Sequence, residues 1–381
     1  MTTKIKHFRN FTLSILLISL TFLLSTSAKA EEQTTTDSLV TLVDSASTTT
    51  SAQTDTAQAE NKFNAGELII EHISDSHEWH IAGNIHLPLP IIVYSKETGL
   101  SVFSSNKLED GAVYQGYKLE HNHLKAANAD GSINEETTAK IYDLSITKNV
   151  AAMFVSIAIM LLIFLSAAKA YKQAPGVAPS GIQSFIEPII VFVRDDIAKT
   201  SIGEKKYEKF MPYLLTIFFF IWINNLLGLI PLIPGGANVT GNIAIALCLA
   251  VFTFIITTIN GNSHYWKHIV AMPGVPKLVL IILTPIEILG IFIKPFVLMV
   301  RLFANITSGH IVLLVFFCLI FIFGDHGHTT GGLITAIPAL AFSVFINCLE
   351  LLVGLLQAYV FTFLSAMYFG SALAGGHDDH H

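Results

Sequence analysis

The sequence predicts an all-α polytopic membrane protein with about five crossings, one interfacial helix and a small β-rich exported module ahead of them. Three observations carry that reading. Of 381 residues, 52% are hydrophobic and only 13% charged, with a mean hydropathy of +0.59, whereas about a quarter of the residues of a soluble domain are charged. Lys and Arg cluster at 169–172, 194–209 and 267–277 and are absent from 231–241 and 324–332. Two very long apolar runs, 278–323 and 333–373, close the chain, and runs of 18 or more such residues are membrane helix candidates. A net charge of −6 leaves no basic surface, so nucleic acid is not expected as a partner. Cys248, Cys318 and Cys348 all lie in apolar runs and read as buried thiols rather than a disulfide framework.

Residues 1–30 read as a secretory signal: Lys4, Lys6 and Arg9, an apolar core at 11–24, then Ala28-Lys29-Ala30 as a cleavage site. An uncleaved anchor is the alternative; the short core and small-residue site favour removal. Residues 31–60, rich in Thr, Ser, Ala and Gln, form a linker with too little apolar mass for a core. The module at 61–147 has short β-branched and aromatic runs at 85–94, 100–103, 113–119 and 140–146, with Gly99, Gly111 and Gly131 at turns. Its histidines (His72, His77, His80, His86, His121 and His123) match no ligand spacing, so no metal site is expected, and solvated surface positions are favoured over a relay.

The membrane domain is expected at 148–373. A span at 150–165 ends before Lys169 and Lys172, and Pro175, Gly176 and Pro179 break the chain. Residues 182–200 are amphipathic and read as lying along the interface. Spans at 211–230 and 242–259 are joined by a turn holding Pro231, Pro234, Gly235 and Gly236. The positive-inside rule puts the basic clusters in the cytoplasm and the basic-free loops outside, with the mature N-terminus outside and the C-terminus cytoplasmic. On that map 278–323 crosses once, since a turn near Lys294-Pro295 would put the lysine outside. A helix over this segment is roughly 69 Å long against a hydrocarbon core of about 30 Å. It must be steeply tilted, or bent at Pro285 and Pro295. Polar groups along such a helix need cover from protein or water, which implies a large partner surface. In the last span, 333–373, Glu350 is the only Asp, Glu, Lys or Arg. The tail 374–381, with Asp378, Asp379 and three histidines, reads as solvated.

Arg301 has no Asp or Glu within a helical turn, and a guanidinium cannot lose its charge by deprotonation. At mid-bilayer that charge costs at least about 2.5–3.5 kcal/mol. Helical spacing puts Glu287, Lys294, Arg301, Asn305 and Ser308 in one stripe and His310 on the opposite side. On the last helix Asn347, Glu350, Gly354 and Gln357 share a stripe. If the two helices run antiparallel with Arg301 level with Gln357, His310 comes within a turn of Glu350. Arg301 then reads either as a functional charge or as a structural partner of Glu350. Asn305 and Gln357 read as channel lining or as helix packing. Glu287 is a relay candidate, or else it pairs with Lys294.

These residues carry a family resemblance. Arg301-Leu302-Phe303-Ala304-Asn305, Glu350 with Gln357 seven residues later, and 213–231 around Asn224-Asn225-Leu226 resemble the a subunit of F-type ATP synthases. The match covers about residues 182–369. The resemblance implies a proton-translocating stator, not an enzyme on its own and without a cofactor. It would sit in a bacterial inner membrane with its two long helices tilted against a c-subunit ring. The b-subunit peripheral stalk and the other synthase subunits would be further partners, and lipid would surround it. It implies that Arg301 is the essential arginine, that Asn305, His310, Glu350 and Gln357 line the external half-channel, and that Glu287 lines the cytoplasmic one. Well-studied bacterial members carry Glu where His310 stands and His where Glu350 stands, whereas mitochondrial-type members resemble this chain there. Residues 1–147 have no counterpart in the best-known bacterial members.

Overall fold

The computed structural model describes residues 66–374 apart from short stretches, the longest being 174–177, 231–235 and 325–329. The expected signal peptide, the linker and nearly all of the tail lie outside the described residues, as do His72 and His121.

Period-two alternation builds the module. Strand β1 (Glu78–Ala82) pairs antiparallel with β2 (Ile85–Pro88). Strand β3 (Pro90–Ser95) is the centre of an antiparallel sheet, flanked by β4 (Gly99–Ser104) and β7 (Ile141–Asp143). Strands β5 (Tyr117–Glu120) and β6 (His123–Ala126) form a third antiparallel pair. Ile91, Val93, Phe103, Leu108, Tyr117 and Leu124 make the core. The run expected at 85–94 is split at Leu89, because Pro88 and Pro90 cannot donate to a ladder. The Leu89 N–H is shared between His77 O at 3.3 Å and Ser105 Oγ at 3.1 Å. Of the run at 113–119 only the last residues enter a strand. Among the histidines, buried His77 stands 3.4 Å from Asp143, and His86 lies 3.8 Å from Glu78.

The module is bonded directly to the first membrane helix, α1 (Lys148–Gln173). The Lys148 N–H donates to Ser76 O (2.8 Å) and the Asn149 N–H to Asp75 Oδ1 (3.1 Å), so module residues satisfy amides that a helix N-terminus leaves open. Trp79 joins the membrane-domain core beside Ala152 and Met153.

Beyond α1 come α2 (Ile182–Phe192), running into a π-helical stretch at Val193–Lys199, and then α3 (Tyr207–Leu229), α4 (Ile243–Ile259), α5 (Ser263–Val270), α6 (Lys277–Gly324) and α7 (Thr330–Leu373). In the π stretch, hydrogen bonds from Arg194 and then Lys199 hold the exposed Asp195 carboxyl well below the usual carboxylate range. Helices α1, α3, α6 and α7 are each long and apolar enough to cross a membrane, and α4 with α5, bent by 104°, makes a fifth if counted as one span. The loop expected around Lys267 is thus partly helix α5. Helix α6 runs 48 residues without a break through Pro285 and Pro295, the form a single crossing requires. Helix α3 is central, with Leu214, Ile217, Phe218 and Ile221 almost wholly buried, as befits a helix apolar on all sides.

The C-terminal end of α7 is tied down by groups from elsewhere. The Asn262 backbone N–H donates to Ala372 O (2.9 Å) and its Nδ2 to Leu373 O (2.8 Å), and Lys206 Nζ donates to Leu373 O (3.1 Å). These are carbonyls that a helix end cannot satisfy internally. Gly370 makes the approach possible, since a Cβ there would fall 1.9 Å from Ser201 O. Gly370→Ala is therefore expected to destabilise the protein by at least the about 1–3 kcal/mol of an overpacked core. Thermal unfolding of the solubilised protein reads this directly, and an unchanged Tm contradicts the packing.

Candidate functional site: a polar cavity between α3, α6 and α7

Glu350 is 7% exposed within an otherwise apolar helix. Its Oε1 lies 3.4 Å from His310 Nε2 on α6. Gly309 makes the space, since a Cβ there would stand 3.2 Å from the Glu350 Cδ. Gly228 of α3 lines the same cavity. Beside this pair Asn225 ties three segments together. Its Nδ2 donates to Gly354 O (2.9 Å), and its Oδ1 accepts from the Thr240 hydroxyl. Gly354 permits the contact, because a Cβ there would lie 3.0 Å from the Asn225 Cβ. Thr307 donates to Gly241 O (3.2 Å) and fixes α6 to the same loop.

Asn224, Asn225, Thr240, His310 and Glu350 line a cavity with about 10 Å³ open to the centre of a water molecule, close to the room one water needs. Glu350 Oε2 and Asn224 Oδ1 are buried without a protein partner among the described residues. Such groups in native interiors ordinarily meet a water or an ion.

The remaining candidates separate clearly. Arg301, Asn305, Ser308 and Lys294 are exposed along one side of α6. Arg301 makes neither a hydrogen bond nor an ion pair among the described residues, and Glu350 faces His310 instead, so a structural Arg301–Glu350 pair is absent. Lys294 Nζ stands 5.7 Å over the Tyr368 ring. Glu287 is half-buried and forms no ion pair with Lys294 among the described residues. Gln357 is 4% exposed and shares the buried stripe with Glu350 and Gly354. The structure thus joins His310 to Glu350 and leaves Arg301 and Asn305 on the outer surface. Gly354 lies on the stripe that spacing assigned to Glu350 and Gln357, whereas Gly228, Gly309 and Thr240 were not expected at the site. The available signal was small residues on membrane helices, which let backbones and polar groups approach.

Membrane-length helices, an acid–imidazole pair in a water-sized cavity and a cation on an outward stripe, unpaired among the described residues, define a class: a polytopic membrane protein with a polar site in its interior. The family described as "ATP synthase A chain" matches residues 150–370. This chain belongs to that family, and so is a membrane proton-channel component of an F-type synthase, without catalysis of its own. It is 43% identical over 245 residues to ATP synthase subunit a of Chloroherpeton thalassium, covering 63% of this chain and 69% of the relative. It is 45% identical over 247 residues to ATP synthase subunit a 2 of Chlorobaculum tepidum, covering 63% and 66%. It is 35% identical over 336 residues to ATP synthase subunit a of Anaeromyxobacter, covering 85% and 75%. Residues 68–144 match a "Domain of unknown function (DUF8433)".

Asn225→Ala removes the hydrogen bonds to Gly354 O and from the Thr240 hydroxyl, each worth about 0.5–1.5 kcal/mol. The variant is expected to unfold at a clearly lower temperature in detergent. Unfolding at the parental temperature contradicts the three-way tie.

Proposed function

We propose that this chain provides two proton half-channels to a carboxylate on a ring of c subunits, and that Arg301 separates them. The observation that carries the reading is the free Arg301 on the outer side of α6 while Glu350, the acid within reach of the neighbouring helix, is engaged by His310. A cation without a partner among the described residues of its own chain suits an anion on another chain.

In this reading a proton enters from outside through the His310–Glu350 cavity, whose orphan oxygens on Glu350 and Asn224 suit a water that passes it on. Beyond the cavity, Gln357 on the buried stripe of α7 and Asn305 on the outer side of α6 take the route on toward the ring. The proton neutralises the ring carboxylate, which can then rotate through lipid, because burying a neutral acid is far cheaper than burying the anion. On its return the carboxylate releases the proton into a cytoplasmic half-channel lined by Glu287. Arg301 favours the anion at that moment, and its fixed charge bars direct passage between the half-channels. A potential of 100 mV supplies about 2.3 kcal/mol per charge.

The lengths of α6 and α7, 48 and 44 residues, support a steep tilt against the ring. The b-subunit stalk and the other synthase subunits complete the assembly. The same reading divides the chain into a signal at 1–30, a linker at 31–60, an exported module at 61–147, the membrane domain at 148–373 and a tail at 374–381. It places the protein in a bacterial inner membrane with the mature N-terminus outside and the C-terminus in the cytoplasm.

Two measurements test it. Arg301→Ala is expected to abolish ATP synthesis driven by a proton gradient while the complex still assembles, and normal synthesis in that variant overturns the proposal. Protease added to intact spheroplasts is expected to digest the module; digestion only after lysis contradicts its export.

A further inference from the structure

The three-stranded sheet of the module is apolar on both faces. Its inner face buries Ile91, Val93 and Phe103. An antiparallel sheet covered on one side normally turns polar residues outward. Here the outer face carries Ile92, Tyr94, Leu100, Val102, Tyr142 and Leu144. All but the half-buried Ile92 are between 37% and 64% exposed. The strand register makes them one patch. Tyr94 lies between Leu100 and Tyr142, and Val102 is opposite Ile92. The Leu144 N–H donates to Ile92 O at 2.8 Å, and Tyr94 and Tyr142 have ring centroids 6.4 Å apart. None of the six is charged, and a contiguous patch of this kind on a folded surface marks an interaction site.

Continuity with the membrane helix identifies the partner. The pairing of β7 with β3 extends past the strand, because the Ile146 N–H donates to Pro90 O at 3.1 Å, two residues before α1 begins. Residues 149–168 of α1 contain no Asp, Glu, Lys or Arg, and a 20-residue helix spans about 30 Å, the thickness of the hydrocarbon core. The hydrocarbon therefore begins near residue 149, and Leu144 lies within about 17 Å of it even with the connection fully extended. The Lys148 and Asn149 amides and Trp79 hold the module to that end of the helix. Tyrosines beside aliphatic residues are the composition favoured at the headgroup boundary.

We infer that the outer face of the β4–β3–β7 sheet rests in the lipid interface of the leaflet at which α1 begins, so that the module is a membrane-seated collar of that helix. This stands apart from the proton path and holds whichever way the chain is oriented.

The test uses the assembled complex in lipid vesicles, with the exposed Cys348 replaced by serine. Leu100→Cys and Val102→Cys are labelled with an environment-sensitive fluorophore. Glu136→Cys, on the exposed helical turn Glu135–Thr138, serves as the reference. Nitroxide carried on lipid acyl chains is expected to remove most of the emission at 100 and 102 and little at 136, with the reverse pattern for aqueous iodide. Quenching of 100 and 102 by iodide alone means a face open to water and overturns the inference. Protection from both quenchers means a face covered by protein and overturns it too.

Discussion

A carboxyl group inside an apolar membrane helix needs a partner, because there is little water at hand to solvate it. In α7 that group is Glu350, and its partner is His310 at 3.4 Å. Much of the domain serves this contact. Gly309 keeps side-chain carbon out of its way, and Asn225 locks α3 to α7 through Gly354 while holding the loop at Thr240. The contact also leaves Arg301 without an ion pair among the described residues.

The pair is also matched to its surroundings. An acid and an imidazole both change protonation under modest changes of environment, and the cavity beside them has room for one water. The pair sets one acid and one imidazole across the gap between α6 and α7.

Much of this was legible in the sequence because it follows from spacing. The heptad offsets of Glu287, Lys294 and Arg301 define an outward stripe, and the nine-residue step to His310 turns it away. Equal rise along antiparallel helices brings His310 to Glu350. The unbroken α6 followed from the charge map, since Pro285 and Pro295 alone would suggest breaks. Other features left weak traces. Strand β6 reads His-Leu-Lys-Ala, which contains no β-branched residue, and α5 is a short amphipathic helix in what reads as a loop. The glycines of the site act by having no side chain, so their role shows only when the neighbouring helix is in place. The outer face of the module is similar: each strand reads as plainly apolar, and only the register reveals one continuous patch.

In the proposed function His310 and Glu350 act as a single proton-transfer unit on one side of Arg301. The decisive measurement is a double-mutant cycle on passive proton flux through the membrane sector, using Glu350→Gln, His310→Asn and the pair together. Each single change is expected to slow the flux strongly, and the double variant to be no slower than the worse single. Losses that multiply, or flux that stays at the parental rate, contradict a single unit.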